Sequence, residues 1–176
     1  MHLKKLVIFF LLPLFFFPDL WAQENIRETE YLLKSVNLFK ICQFTIWPQE
    51  KAENSPFYIF VLGRNPQGQR ISVPADKKIN GRRVEIKDIK EVGEVGAGEV
   101  LFICSSEESK IDSILASIKS RQILTAADTK GFAEKGVMIN FYIELETVKF
   151  EINRQAIRHA GLKLYPQIYS LGKNVN

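Results

Sequence analysis

Histidine and cysteine are almost missing from this chain: its 176 residues hold two of each, His2 and His159, Cys42 and Cys104. No HxxxH, HxH or CxxC spacing occurs, which excludes the usual zinc centres, whose ligands come in such pairs. His159 alone cannot partner a second imidazole, and a surface or partly packed side chain is its expected role. Serine supplies no better nucleophile, because Ser105 and Ser106 follow a strand but lack the flanking glycines of a nucleophile elbow. Gly93, Gly96 and Gly98 do not precede a helix and so form no phosphate cradle. Neither charge predominates: 24 Lys and Arg stand against 20 Asp and Glu, a net charge of +4. The two signs are interleaved, as in Lys87, Asp88, Lys90 and Glu91. That leaves no continuous basic stripe to follow a nucleic-acid backbone. A non-enzymatic protein without cofactor or metal is the expectation.

What is present begins at the N-terminus, where Lys4 and Lys5 precede an apolar run from Leu6 to Phe17, followed by Pro18 and the small Ala22. This is the layout of a secretory signal peptide cleaved after Ala22. The run of about a dozen residues is short of the roughly 20 that span a bilayer. The chain therefore divides into a signal peptide, 1–22, and one exported domain, 23–176, destined for the periplasm. That domain retains 22 basic and 19 acidic residues and is long enough for a single sizeable core. In an oxidising compartment Cys42 and Cys104 could pair as a disulfide. Their apolar neighbours Ile41, Phe44, Phe102 and Ile103 fit two buried free thiols equally.

Hydropathy spacing predicts the elements. Glu24 to Trp47 reads as a long amphipathic helix, with Tyr31, Leu32, Ser35, Leu38, Phe39, Cys42 and Ile46 on one stripe and Glu28, Lys34 and Lys40 off it. Pro48 stops it. Phe57 to Leu62 is a buried-type strand ending at Gly63, and Asn80-Gly81 turns into a strand from Arg83 to Ile89. Val100 to Cys104, the most apolar strand, belongs at the sheet centre. Ser105 or Ser106 can cap a helix lined by Ile111, Ile114, Leu115 and Ile118. Gln122 to Ala126 then returns as a strand, a spacing that implies a parallel pair with a right-handed crossover. Val137 to Glu144 and Thr147 to Ile152 form a hairpin about a tight acidic turn, and Asn153 caps a helix stopped by Gly161. The expected class is α/β: a single domain with a mixed, mostly parallel sheet flanked by helices and a C-terminal antiparallel hairpin.

Two sets of residues stand out as candidates for binding. Phe39 and Trp47 on the long helix and its exit, with Tyr165, Ile168 and Tyr169 in the apolar tail around Pro166, either complete the core or form an adhesive patch for a partner. Asp128, at a strand end beside Thr125, Thr129 and Lys130, is the best-placed carboxylate, because α/β sheets bind ligands past the carboxyl ends of parallel strands. Aspartate also forms turns there.

Several stretches carry a family resemblance: Phe44-Thr45-Ile46-Trp47-Pro48, Ile59-Phe60-Val61-Leu62-Gly63, Val100-Leu101-Phe102-Ile103, Gly131-Phe132-Ala133, Gly136-Val137-Met138-Ile139 and Phe150-Glu151-Ile152-Asn153. In this order and spacing the chain, from about Tyr31 to its C-terminus, resembles the YfiR-like family of exported bacterial proteins. The resemblance implies a periplasmic regulator that binds the extracytoplasmic sensor domain of an inner-membrane diguanylate cyclase, or of another sensor such as a kinase. It represses cyclic-di-GMP synthesis and biofilm formation, and an outer-membrane lipoprotein can sequester it. The best-studied member has more cysteines and uses disulfides; Cys42 and Cys104 are not matched to those bonds, so redox control is not carried over. A periplasmic solute-binding protein, with a pocket near Asp128 and the loop after Gly63 serving a membrane receptor, is the alternative. Symmetric dimerisation through the long helix or the tail fits either.

Overall fold

The computed structural model describes residues 19–47, 51, 54–66, 68–74, 76–95, 100–119 and 121–175, with side chains from Arg27 onward. The signal-peptide run from Lys4 to Pro18 lies outside the described residues. The elements are α1 (Asp19–Gln43), β1 (Thr45–Ile46), β2 (Phe57–Leu62), β3 (Lys78–Ile79), β4 (Arg82–Ile89), β5 (Val100–Ile103), α2 (Ile111–Ile118), β6 (Leu124–Ala127) and α3 (Phe132–Lys135). They continue as β7 (Ile139–Glu144), β8 (Thr147–Asn153), α4 (Arg154–His159), β9 (Lys163–Leu164), α5 (Pro166–Leu171) and β10 (Lys173–Val175).

The eight-stranded sheet has the order β10-β8-β7-β6-β5-β2-β4-β3, and within it, among the described residues, only the β7–β8 and β3–β4 pairs are antiparallel. The α/β class, with its mostly parallel sheet and late hairpin, is as the hydropathy pattern implies. All four residues of β5 are buried, because an inner parallel strand is covered on both faces. Alternation along it divides the core: Val100 and Phe102 pack with α1, α4 and α5, while Leu101 and Ile103 pack with α2 and α3. Side chains such as Phe57, Phe102, Phe141, Leu38 and Ile59, all under 2% exposed, contribute about 1.5–3 kcal/mol each through burial.

Both tight hairpin turns need positive φ. Asn80 and Gly81 (φ 49° and 76°) join β3 to β4, and Leu145 and Glu146 (φ 49° and 58°) join β7 to β8. Two left-handed residues give the loop the twist that matches its strands. Asn153 caps α4 as expected, its side chain accepting from Ala156 N at 2.7 Å.

The expected helix of 24–47 ends at Gln43 instead. Thr45 Oγ1 donates to Ile41 O at 2.7 Å, and Thr45 and Ile46 pair with Leu164 and Lys163 as a two-stranded ribbon. The stripe also needs correcting: Leu32 and Ile46 are exposed, whereas Lys34 is buried. Leu32 sits about 100° round the helix from Tyr31 and points away from the sheet. Ser105 and Ser106 do not cap an α-helix, since Ser105–Lys110 is a 3-10 turn without a side-chain cap and α2 starts only at Ile111. The tail is not loose either: Ile168 of α5 is buried, and β10 adds a parallel edge strand to β8.

Candidate functional site

Parallel register sets the strand ends level. Leu62 lies opposite Ile89 and Ile103, and Ile103 opposite Ala127. The next residues, Gly63, Lys90, Cys104 and Asp128, therefore share the carboxyl edge of the sheet. β2, the first strand of the eight-stranded sheet in sequence, lies between β4 and β5, so the chain leaves it to one side and resumes on the other. A crevice opens at such a reversal.

Gly63 makes the turn at that point possible. Its φ is +82°, and a Cβ there would lie 2.4 Å from Ser106 Oγ and 2.7 Å from Glu107 Cγ. Close approach lets Arg64 N donate to Ser106 Oγ at 2.8 Å, and that hydroxyl donates to Glu107 Oε1 at 3.1 Å. Beside this turn lies a cavity of about 800 Å³, with Val61, Ile71 and Phe102 on its walls. A smaller one of about 270 Å³, bounded by Glu30, Lys34 and Asp128, shares Tyr31, Asn65 and Gln69 with it.

Asp128 is the hub of the smaller cavity. Its Oδ2 accepts from the Tyr31 hydroxyl and, at 2.8 Å, from Lys34 Nζ. Tyr31 in turn accepts from Asn65 Nδ2, and Lys34 Nζ is also 2.5 Å from Glu30 Oε1. The ammonium stands 4.4 Å from the centre of the Tyr31 ring, a cation–π geometry. Burial, then the charge of Asp128, pushes the Tyr31 hydroxyl well above the ordinary phenol value. Ser35 continues the joint: its hydroxyl donates to Tyr31 O at 2.6 Å and accepts from Ser72 N at 3.0 Å. Helix α1 is thereby tied both to the end of β6 and to the loop after β2.

The charged and polar groups of this cluster are engaged with one another. Asp128 Oδ2 is already shared by a phenol and an ammonium, and the Cys104 thiol is pushed up to about 12 by burial and by Asp128, Asp88 and Glu107. A protonated thiol is a poor nucleophile. Cys42 and Cys104 are both free and buried. His159 is exposed on α4. Among the described residues no three His, Cys, Asp or Glu side chains gather to hold a metal, and no helix is long and apolar enough to cross a membrane.

The residues expected to bind a partner separate. Phe39 and Ile168 are 8% and 3% exposed, so neither can serve as a contact surface; the helix stripe and α5 use them in the core. Trp47 is half-buried edge-on to Phe57, and its Nε1 donates to Cys42 O at 3.3 Å. Tyr169 is half-buried under the Arg154 guanidinium at 4.4 Å. Only Tyr165 is fully presented, at 46% exposure, and it meets Phe44, 41% exposed, in an edge contact at 6.1 Å. Exposed Ile46 adjoins them on β1. Tyr31, Lys34 and Asn65, in contrast, gave no sign in the sequence of belonging with Asp128. The spacing of Glu30 and Lys34 reads as an ordinary surface pair, and the partner lies 94 residues further on.

No curated protein matches the sequence. Among solved structures, a conserved domain protein from Vibrio cholerae O1 biovar El Tor strain N16961 shares 11% identity at a TM-score of 0.52. The alignment covers 82% of this chain and 60% of that one. At this identity the likeness is one of fold, and this chain spans only 60% of that structure's length. The ligand-free, open structure of a substrate binding protein with adhesive properties from Clostridium difficile aligns over 81% of this chain and 59% of its own, with 16% identity and a TM-score of 0.48, too low to carry weight. The YfiR/HmsC-like family model matches residues 31–173, from the Tyr31 of the buried cluster to the first residue of β10, and the chain belongs to the YfiR/HmsC-like family.

Proposed function

We propose that this chain is a non-enzymatic periplasmic regulator that binds the extracytoplasmic sensor domain of an inner-membrane signalling protein, a diguanylate cyclase, and represses its production of cyclic-di-GMP. Family membership over residues 31–173 carries this reading, and a site whose charged groups are spent on one another supports it. The exposed Phe44, Ile46 and Tyr165 are the proposed contact with the sensor. An outer-membrane lipoprotein would compete for the regulator, and exposed Leu32 and Leu33 on α1 would serve a symmetric dimer. Apolar and aromatic side chains clustered on a surface are the usual anchors of such contacts.

The test is capture from detergent-solubilised membranes with the exported form, followed by measurement of cyclic-di-GMP with the protein present and absent. A membrane sensor should be recovered and cyclic-di-GMP should rise on deletion. Tyr165→Asp with Phe44→Asp should lose the sensor while the protein stays folded. Failure to recover any sensor, together with unchanged cyclic-di-GMP, would sink the reading.

A second reading, a solute-binding protein serving a membrane receptor, is favoured by one observation. The cavity of about 800 Å³ lies at the carboxyl edge of the parallel strands and includes the turn at Gly63, where open α/β sheets take ligands.

A further inference from the structure

The cavity between the ends of β2, β4 and β5, about 800 Å³, falls within the roughly 300–1,000 Å³ typical of small-molecule sites. Its inner wall is apolar: Val61, Ile71 and Phe102 line it and belong to one buried core cluster. Covering such a wall returns roughly 25 cal/mol per Å² of apolar surface.

Its rim is charged and not balanced. Arg64, Arg70, Lys90, Asp88 and Glu107 stand on it. Arg70 holds Asp88 at 3.1 Å, and Lys110 holds Glu107 at 3.1 Å. Neither Arg64 nor Lys90 makes a salt bridge among the described residues, although the Lys90 charge acts on the nearby Glu94 carboxylate. They follow strands that lie side by side in register at Leu62 and Ile89, and both residues line the cavity. The Arg64 backbone is held in place by the hydrogen bond its N–H donates to Ser106 Oγ and by the tight turn at Gly63.

With Lys90 partly answered by Glu94, a rim that carries only a small excess of positive charge above an apolar wall selects a ligand with one negative charge and a hydrocarbon body. A polyphosphate is disfavoured, because Asp88 and Glu107 on the same rim repel each added charge. We propose that this cavity binds an amphiphilic organic monoanion, a carboxylate on an aliphatic or aromatic body, with the body against Val61, Ile71 and Phe102 and the carboxylate between Arg64 and Lys90. The proposal rests on the cavity being a ligand site, the second reading above, and gives that ligand its chemical class.

The test titrates the exported chain by calorimetry and thermal shift with four probes: octanoate, 3-phenylpropionate, neutral octanamide and cationic octylamine. Both carboxylates should bind and raise the midpoint of unfolding, and the two other probes should bind at least tenfold more weakly. Arg64→Gln with Lys90→Gln should weaken the carboxylates at least tenfold and leave the midpoint of the free protein unchanged, since both side chains are exposed. Equal binding of octanamide or octylamine would overturn the assignment of charge while leaving the cavity a ligand site. Binding of none of the four at millimolar concentration would overturn the site itself. Carboxylate binding that survives the double variant would place the anion elsewhere and overturn the proposal.

Discussion

The ammonium of Lys34 lies 2.8 Å from Asp128 Oδ2 with both side chains almost wholly withdrawn from solvent, 5% and 7% exposed, and this pair bolts α1 to the carboxyl end of β6. Buried charges are costly to isolate: removing one partner of such a pair costs roughly 3–5 kcal/mol, while replacing both with apolar groups is often neutral. Asp128→Leu should therefore lower stability by about 3 kcal/mol, toward the low end because Glu30 stays beside Lys34. Lys34→Met should be similarly harmful, and the double variant less destabilised than the two singles together. Urea unfolding of the four proteins gives the coupling directly. Strict additivity would mean that the pair does not act as a unit.

Cys104 should be silent to thiol reagents in the folded protein. Its thiol is raised from 9.0 to about 12, chiefly by burial, so at pH 8 almost none is thiolate. Ellman's reagent should titrate neither Cys104 nor the buried Cys42 until denaturant is added. The same shift has a sign for stability. A group whose value is raised on folding favours the fold in its protonated form, in full below pH 9 and less as pH climbs toward 12. The unfolding midpoint should fall over that window, and part of the fall should be missing in Cys104→Ala.

Gly63→Ala should destabilise by about 1–3 kcal/mol, the cost of holding a non-glycine residue in a sparsely populated backbone region. The added Cβ also meets Ser106 Oγ at 2.4 Å and Glu107 Cγ at 2.7 Å. Ser106→Ala in the same chain should relieve little, because the Glu107 contact and the positive φ remain. Thermal unfolding of the single and double variants checks this.

The hairpin tip offers a stabilising change. Leu145 and Glu146 both take positive φ, 49° and 58°, and Leu145 is 90% exposed. Asparagine and glycine occupy such positions without strain. Leu145→Asn with Glu146→Gly should raise stability by roughly 0.5–1 kcal/mol, read from the denaturation midpoint. A loss of stability would show that the tip side chains contribute contacts.

Much of the fold was legible because hydrophobic spacing is a local property. The buried-type strand Phe57–Leu62 is found with those bounds. The alternation of Val148, Phe150 and Ile152 marked one strand of the hairpin, and Asn153 and Gly161 bracketed α4 as capping chemistry requires. What spacing could not show was competition between neighbours. Thr45 and Ile46 left the helix for a ribbon with Lys163 and Leu164, and the partner strand lies more than a hundred residues away. Whether tail residues such as Ile168 complete the core or form a patch was open in the sequence, because the surface that covers Ile168 is built by other elements.

The site divides along the same line. A chain with two histidines and two cysteines, no metal spacing and a carboxylate after a parallel strand could be recognised from the order of its residues, since residue type and local period travel with the chain. That Lys34 is buried, that Tyr31 and Lys34 share one oxygen of Asp128, and that Arg64 and Lys90 line the same cavity were decided by tertiary structure alone. Strand register and the reversal at β2 set those side chains against one another. Electrostatic pairing depends on distance in space, which residue order does not encode.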